Sequence, residues 1–273
     1  MQPFTIAAIQ MTSGDDIAAN IAALAPLVEA AVARGATLIA TPENSFYMRR
    51  EGTAAMADVP MVEHAGVRWA CSAAKAHGVW LLIGSLRARE VGMEKPFNRS
   101  ILVSPTGEIA ATYDKLHLFD VTLADGHAYR ESSQAVAGDA PVVAPTPMAN
   151  LGLSICYDLR FPNLYRQLAL AGAEVLMVPS AFTRPTGAAH WHTLLRARAI
   201  ENACYVVAPA QCGSHPGGRE TYGHSLIIDP WGEIIAQASA DQPGVITAVL
   251  DPARIAAVRA QIPVLAHHRE LGE

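Results

Sequence analysis

The chain reads as an α/β protein folded as a four-layer α-β-β-α sandwich, and two observations predict this. The order strand, helix, strand, helix, strand, hairpin runs twice through the 273 residues. Each half supplies helices for only one face of its sheet, so the economical burial of the remaining faces is sheet against sheet with helices outside. A hydrophobic content of 51% supplies the core that two stacked sheets require. By length alone, one large domain or two small ones would be allowed.

In the first half, residues 4–11 alternate weakly and predict a strand. Asp15 or Asp16 caps a helix through Arg34, whose apolar positions Ile17, Ile21, Leu24, Leu27, Val28 and Val32 keep a helical period, and Gly35 ends it. Residues 37–41 are a short buried strand with the polar cluster Pro42-Glu43-Asn44 at its carboxyl end. A second helix is predicted over 60–77, stopped by Gly78, then a strand over 79–85 and a hairpin over 98–116 turning at Pro105-Thr106-Gly107. Residues 124–149, rich in Gly, Pro, Ser and Asp, predict a long loop carrying Glu131, and loops of that length are more often functional than idle.

The second half repeats the order. Strands are predicted over 151–156, 175–180 and 205–210, with helices over 162–171 and 187–202 between them. A hairpin over 225–238 turns at Pro230-Trp231-Gly232, and a strand over 245–250 with a short helix from Pro252 closes the chain. Whether this repetition is a true two-fold symmetry or the ordinary alternation of α/β proteins is open at this stage.

A net charge of −5, with 20 Lys and Arg scattered along the chain, supplies no basic stripe for nucleic acid. The start, MQPFTIAAIQM, has no cationic leader, and no apolar run reaches bilayer length, so a cytoplasmic location without a membrane partner is expected. Cys71, Cys156, Cys204 and Cys212 lie far apart, which argues against disulfides and thiolate zinc. The histidines form no metal-binding pattern, and neither a metal nor another cofactor is expected. A small-molecule partner remains.

The chemistry-bearing stretch is LGLSICYDLRFP, residues 151–162, where an apolar strand gives way at Cys156 to polar residues and a helix. A thiol between strand end and helix start lies near backbone N–H groups, which predicts stabilisation of its thiolate. Cys156 is the nucleophile candidate, and Cys212, in a polar setting, is the rival thiol. Glu43 also follows a strand, and carboxyl ends of parallel strands gather on one edge. Lys115 closes the return strand of a hairpin, so its direction is ambiguous, and spacing alone does not identify the base.

Pro42-Glu43, Tyr113-Asp114-Lys115-Leu116-His117-Leu118-Phe119-Asp120 and Cys156-Tyr157-Asp158, in that order, resemble the three motifs of the nitrilase superfamily of carbon–nitrogen hydrolases. The likeness extends over nearly the whole chain, implying the same sandwich and a single domain over 1–273. It implies a Glu43, Lys115, Cys156 triad, and Arg130-Glu131-Ser132 matches the family's second glutamate, which would position Lys115 or the leaving nitrogen. In the implied reaction Glu43 takes the thiol proton, the thiolate attacks an amide carbonyl, and Lys115 with the Tyr157 N–H holds the oxyanion. Ammonia leaves, and water activated by Glu43 cleaves the thioester to the acid.

True nitrilases commonly follow the cysteine with Trp-Glu, so Tyr157-Asp158 favours an amide over a nitrile. Stretches such as Gly187-Ala188-Ala189-His190-Trp191 and Tyr222-Gly223-His224-Ser225 resemble the deaminated glutathione amidase branch, which implies a small 2-oxo-acid amide. Omega-amidase action on 2-oxoglutaramate, an N-carbamoyl amidohydrolase or a nitrilase are the alternatives on the same scaffold, and an inactive scaffold or ligand-binding protein is the alternative outside enzymes. Arg160 is expected to grip the 2-oxo-acid carboxylate, unless it pairs with Asp158 or Glu201, and Phe182 and Thr186 to wall the pocket. Asn44-Ser45-Phe46 and the segment 261–273 depart from the branch pattern and leave fine substrate choice open. The resemblance also implies a homodimer.

Overall fold

The computed structural model describes residues 2–49, 59–122, 126 and 128–269. The first half runs β1 (Phe4–Gln10), α1 (Ile17–Ala33), β2 (Leu38–Ala40), β3 (Val59–Pro60), α2 (Ala65–His77), β4 (Trp80–Arg89), β5 (Phe97–Val103) and β6 (Ile109–Asp114). A small hairpin, β7 (Asp120–Thr122) with β8 (Ala128–Arg130), and β9 (Val142–Pro145) lead to the second half. That half runs β10 (Asn150–Leu153), α3 (Pro162–Leu170), β11 (Val175–Met177), α4 (Arg184–Asn202), β12 (Tyr205–Ala208), a hairpin of β13 (Cys212–Ser214) and β14 (Glu220–Tyr222), and the pair β15 (Leu226–Ile228) and β16 (Ile234–Gln237). β17 (Gly244–Leu250) and α5 (Pro252–Gln261) follow.

The two sheets have the orders β17-β1-β2-β4-β5-β6 and β9-β10-β11-β12-β15-β16, with β3 beside β4. Apart from β3 they correspond strand for strand. Three parallel strands, β1-β2-β4 or β10-β11-β12, are extended on one side by an antiparallel pair and on the other by one antiparallel strand. The repeated order in the sequence is therefore a real internal correspondence.

The period of two along a strand divides β1 between two cores. Phe4, Ile6 and Ala8 pack with Leu151, Leu153 and Val175 of the second sheet. Ala7 and Ile9 face Leu24 and Val28 of α1 and Val67 and Ala70 of α2. On the far side of the second sheet, Leu164 and Leu168 of α3 and Leu195 and Ala199 of α4 are buried. This is the α-β-β-α sandwich expected.

Some boundaries differ from the sequence reading, for local reasons. α2 begins five residues later than residue 60, because a 3-10 turn over Met61–Glu63 intervenes and the His64 ring accepts from the Gly66 N–H at 3.1 Å to cap the helix. Burial lowers the His64 pKa to about 4, which keeps its ring neutral and able to accept. The segment 124–149 is not simply a loop: β8, a 3-10 turn over Glu131–Ser133 and β9 occupy much of it, while residues 124, 125 and 127 lie outside the described residues. The segment 261–273 likewise continues beyond them at 270–273.

Gly84, inside β4, sets how closely the two sheets meet below Glu43. Its N–H donates to the Thr41 hydroxyl at 3.0 Å. A Cβ there would stand 2.0 Å from the Thr41 carbonyl oxygen, 2.4 Å from that of Pro42 and 2.6 Å from the Pro179 Cβ after β11 of the other sheet, contacts that no rotamer change relieves. Gly84→Ala is expected to lower stability by about 1–3 kcal/mol, read as a lower urea midpoint at unchanged slope.

Candidate active site

β10 ends at Leu153, but the chain continues along β11, with the Ser154 and Cys156 N–H groups donating to the Met177 and Pro179 carbonyls at 3.2 and 3.0 Å. At Cys156 the backbone turns into the left-handed region, φ 50°, where a residue with a Cβ is strained, and a 3-10 turn runs over Cys156–Arg160. Asp158, fully buried, holds this turn. Its Oδ2 accepts from the Ile155 N–H (2.8 Å) and the Tyr113 hydroxyl (2.7 Å), and its Oδ1 from the His117 N–H (3.0 Å), with the His117 ring at 2.7 Å. One carboxylate thus ties the cysteine turn to both sides of Lys115.

Lys115 lies just past β6, where its N–H donates to the Asn98 carbonyl of β5 at 2.9 Å, and this pairing sends its side chain inward. The ammonium contacts Glu43 Oε1 at 3.0 Å and Glu131 Oε2 at 2.9 Å. Asn98 Nδ2 bridges the same carboxylates at 3.0 and 2.9 Å. Glu43 Oε2 accepts from the Ala181 N–H at 2.9 Å, and Glu131 Oε2 from the Phe119 N–H at 2.7 Å. The Cys156 thiol feels the charges of both Glu43 and Lys115. Residues from three distant parts of the chain are brought together.

Burial alone would push the Lys115 pKa down, but Glu131 and Glu43 outweigh it and hold the ammonium well above its ordinary value. Burial would likewise raise Glu131, yet Lys115, Asn98 and the Phe119 N–H keep its carboxyl below the usual range. Cys156 goes the other way. Burial first, and the negative Glu43 second, push the thiol well up against the opposing pull of Lys115. This corrects the sequence expectation of a stabilised thiolate: only a short 3-10 turn begins at Cys156, the α-helix α3 starts six residues later, and burial prevails.

A cleft of roughly 920 Å³, counting its open mouth, lies above this cluster, and Tyr157, Arg160, Phe182 and Thr186 all line it. The Arg160 guanidinium sits 5.3 Å from the Phe182 ring centre and 5.8 Å from that of Tyr157, with the His190 ring at 3.3 Å. It pairs with neither Asp158 nor Glu201, since Asp158 is engaged as described and Glu201 is bound by Arg198 at 2.7 Å. The Thr186 hydroxyl is bonded to that of Thr183 at 2.7 Å. Cys212, the rival thiol, is fully buried against Thr12 and is not among the cleft residues.

The sequence profile of carbon-nitrogen hydrolases matches residues 5–260. The chain belongs to this family. As a carbon–nitrogen hydrolase it is 44% identical over 272 residues to the deaminated glutathione amidase of Synechocystis sp. (strain PCC 6803 / GT-S), covering 98% of each chain. It is 39% identical over 270 residues to the deaminated glutathione amidase of Homo sapiens, covering 97% of this chain and 82% of that one. Among solved structures it is similar to the NitFhit protein of C. elegans (TM-score 0.88, 36% identity), covering 98% of this hydrolase and 66% of that longer chain. It is also similar to an amidase from Nesterenkonia sp. AN1 carrying the acetamide moiety of fluoroacetamide on its active-site cysteine (TM-score 0.82, 26% identity, 97% and 94% covered).

Sequence reasoning missed Asn98, which bridges the two carboxylates, and the clamp formed by Asp158, Tyr113 and His117. It also missed Arg219 and Tyr129 on the cleft wall. Asn98, Tyr113 and His117 all lie in or beside the hairpin that carries Lys115, and their polarity beside a buried strand was the available signal. Because burial and the negative Glu43 raise the Cys156 pKa, the native hydrolase is expected to hold less Cys156 thiolate at alkaline pH than an exposed cysteine would. A Cys156-dependent thiolate absorbance, absent from Cys156→Ala, that rises at a pH equal to or below that of a free cysteine would contradict this.

Proposed function

We propose that this hydrolase cleaves the amide of a small 2-oxo acid, with deaminated glutathione as its substrate. The observation that carries the reading is the Glu43, Lys115, Glu131 cluster beside the Cys156 thiol at the floor of an arginine-lined cleft. The high sequence identity to proteins named for that activity supports it.

The proposed steps follow from the contacts. Glu43 takes the Cys156 proton as Sγ attacks the amide carbonyl, and the new C–S bond converts the carbonyl oxygen into an oxyanion facing the Lys115 ammonium and the Tyr157 N–H. Glu43 then returns the proton to the nitrogen as the C–N bond breaks, leaving a thioester. Water, deprotonated by Glu43, attacks that thioester, and the acid departs while the thiol regains its proton. Glu131, already bonded to Lys115, Asn98 and the Phe119 N–H, acts as a positioner rather than a second base. Arg160, with no carboxylate bound to it among the described residues, takes the 2-oxo-acid carboxylate between Phe182 and Tyr157.

The leaving group differs from the ammonia expected from the sequence. In glutathione the γ-amide nitrogen belongs to the cysteinyl residue, so hydrolysis of its deaminated form releases 2-oxoglutarate and cysteinylglycine. Ammonia would leave only from the unsubstituted amide, 2-oxoglutaramate.

Incubation with deaminated glutathione, 2-oxoglutaramate, an N-carbamoyl amino acid and a simple nitrile, read by the acid formed, is expected to rank the first highest. A faster rate on the nitrile would overturn the amide assignment. Cys156→Ala is expected to keep the native circular dichroism and lose turnover by about a thousandfold or more.

We further propose that residues 1–273 act as one domain, that the hydrolase works in the cytoplasm, and that it pairs as a homodimer; among the described residues no helix is long and apolar enough to cross a membrane. Light scattering at micromolar concentration is expected to give twice the mass of the 28.9 kDa chain. A monomeric mass would contradict pairing.

A further inference from the structure

The charge of the cleft exceeds what one substrate carboxylate requires. Among the described residues Arg49, Arg87, Lys115, Arg130, Arg160 and Arg219 line it, against two carboxylates, Glu43 and Glu131, both already bound to Lys115. This cationic excess sits in a chain of net charge −5. Such a field favours an anion of more than one charge. Deaminated glutathione is that kind of anion, with one carboxylate on the 2-oxo acid and another on the glycine, on opposite sides of the amide to be cut.

The guanidinium groups are not equivalent. Arg130 donates to the Val121 and Tyr129 carbonyls and the Thr122 hydroxyl, within its own hairpin. Arg87 donates to the Gln134 carbonyl, and both it and Arg49 hold further contacts. Arg160 is assigned to the acyl side. Arg219, between β13 and β14 behind a 3-10 turn over Pro216–Gly218, uses Nη2 on the Ala181 carbonyl at 2.7 Å and lies 5.6 Å from the Tyr129 ring centre. Its Nε is buried with no hydrogen-bond partner among the described residues. That Nε is closed off from solvent, but the remaining Nη donors of a guanidinium on the cleft wall leave capacity for an anion.

Its side of the cleft also has chemical meaning. The backbone of Ala181 joins Arg219 to Glu43, its carbonyl accepting from the guanidinium and its N–H donating to Glu43 Oε2. Glu43 must return its proton to the departing nitrogen, so the leaving group faces Glu43. Arg160 belongs instead to the nucleophile turn itself and stands over Tyr157 and Phe182. The glycine carboxylate lies two residues from the scissile nitrogen, about 7 Å in extended chain.

We propose that Arg219 binds the carboxylate of the leaving cysteinylglycine, so that Arg160 and Arg219 together select an amide bearing a carboxylate on each side of the bond. The proposal rests on the substrate reading above.

The test compares deaminated glutathione with its carboxamide analogue, in which the glycine carboxylate is neutral. Binding is read by calorimetry in the Cys156→Ala background, so turnover is not needed. The analogue is expected to bind about 10- to 100-fold more weakly to Cys156→Ala. Adding Arg219→Gln is expected to reduce that ratio to near one, Arg219→Lys to leave an intermediate ratio, and Arg160→Gln to preserve it. Equal binding of the two ligands, or an undiminished ratio with Arg219→Gln, would overturn the proposal. A purely structural role for Arg219 would weaken both ligands alike and keep the ratio. Loss of the substrate reading is a separate result: Cys156-intact protein that cleaves 2-oxoglutaramate but not deaminated glutathione, whatever the binding ratio.

Discussion

The structure depends on keeping an ammonium charged where it has almost no water. Lys115 is 1% exposed, and removing an ion from water costs several kcal/mol unless its surroundings replace the lost hydration. Two carboxylates do so here, but they need stabilisation of their own. The Asn98 amide and the N–H groups of Ala181 and Phe119 supply it. Every element that reaches the cluster therefore brings either a charge or a donor.

The correspondence between the sheets explains how residues so distant in sequence converge. β2 and β11 occupy equivalent places, and the segments following them carry Glu43 and Ala181. Those segments meet at the carboxylate–amide contact of 2.9 Å, with Gly84 allowing the approach. β1 and β10 are likewise equivalent, yet only β10 leads to a cysteine. The chain after β1 supplies Ser13, whose N–H donates to Gln211, and the Gln211 amide in turn donates to the Glu43 carbonyl. One copy of the repeat carries the thiol, and the other braces the proposed base.

The layers and most elements were legible in the sequence because they rest on periodicity and on residues that stop helices, such as Gly35 and Gly78. The motifs around Glu43, Lys115 and Cys156 were legible through family likeness, although spacing alone left the direction of Lys115 open. What was not legible depends on long-range contact. Asp158 looks like an ordinary turn acid until Tyr113 and His117 arrive from 45 and 41 residues away. The thiol's ionisation failed as a prediction for a related reason: a local rule about N–H groups could not register the burial that the opposite sheet imposes.

That failure bears on how the chemistry begins. A thiolate waiting in the cleft would be attracted to Lys115 and would compete with the incoming carbonyl oxygen for the same ammonium. A protonated thiol leaves that ammonium to its carboxylates until a substrate is seated. In the proposed mechanism, proton transfer to Glu43 becomes favourable only as the charge moves onward to an oxygen that Lys115 can hold, so the stabilisation acts on the transition state rather than on the resting enzyme. Seating is the task proposed for the cleft's guanidinium groups. Recognition of a carboxylate at a distance from the sulfur and loss of the proton at the sulfur are thus linked steps, with the buried ammonium between them.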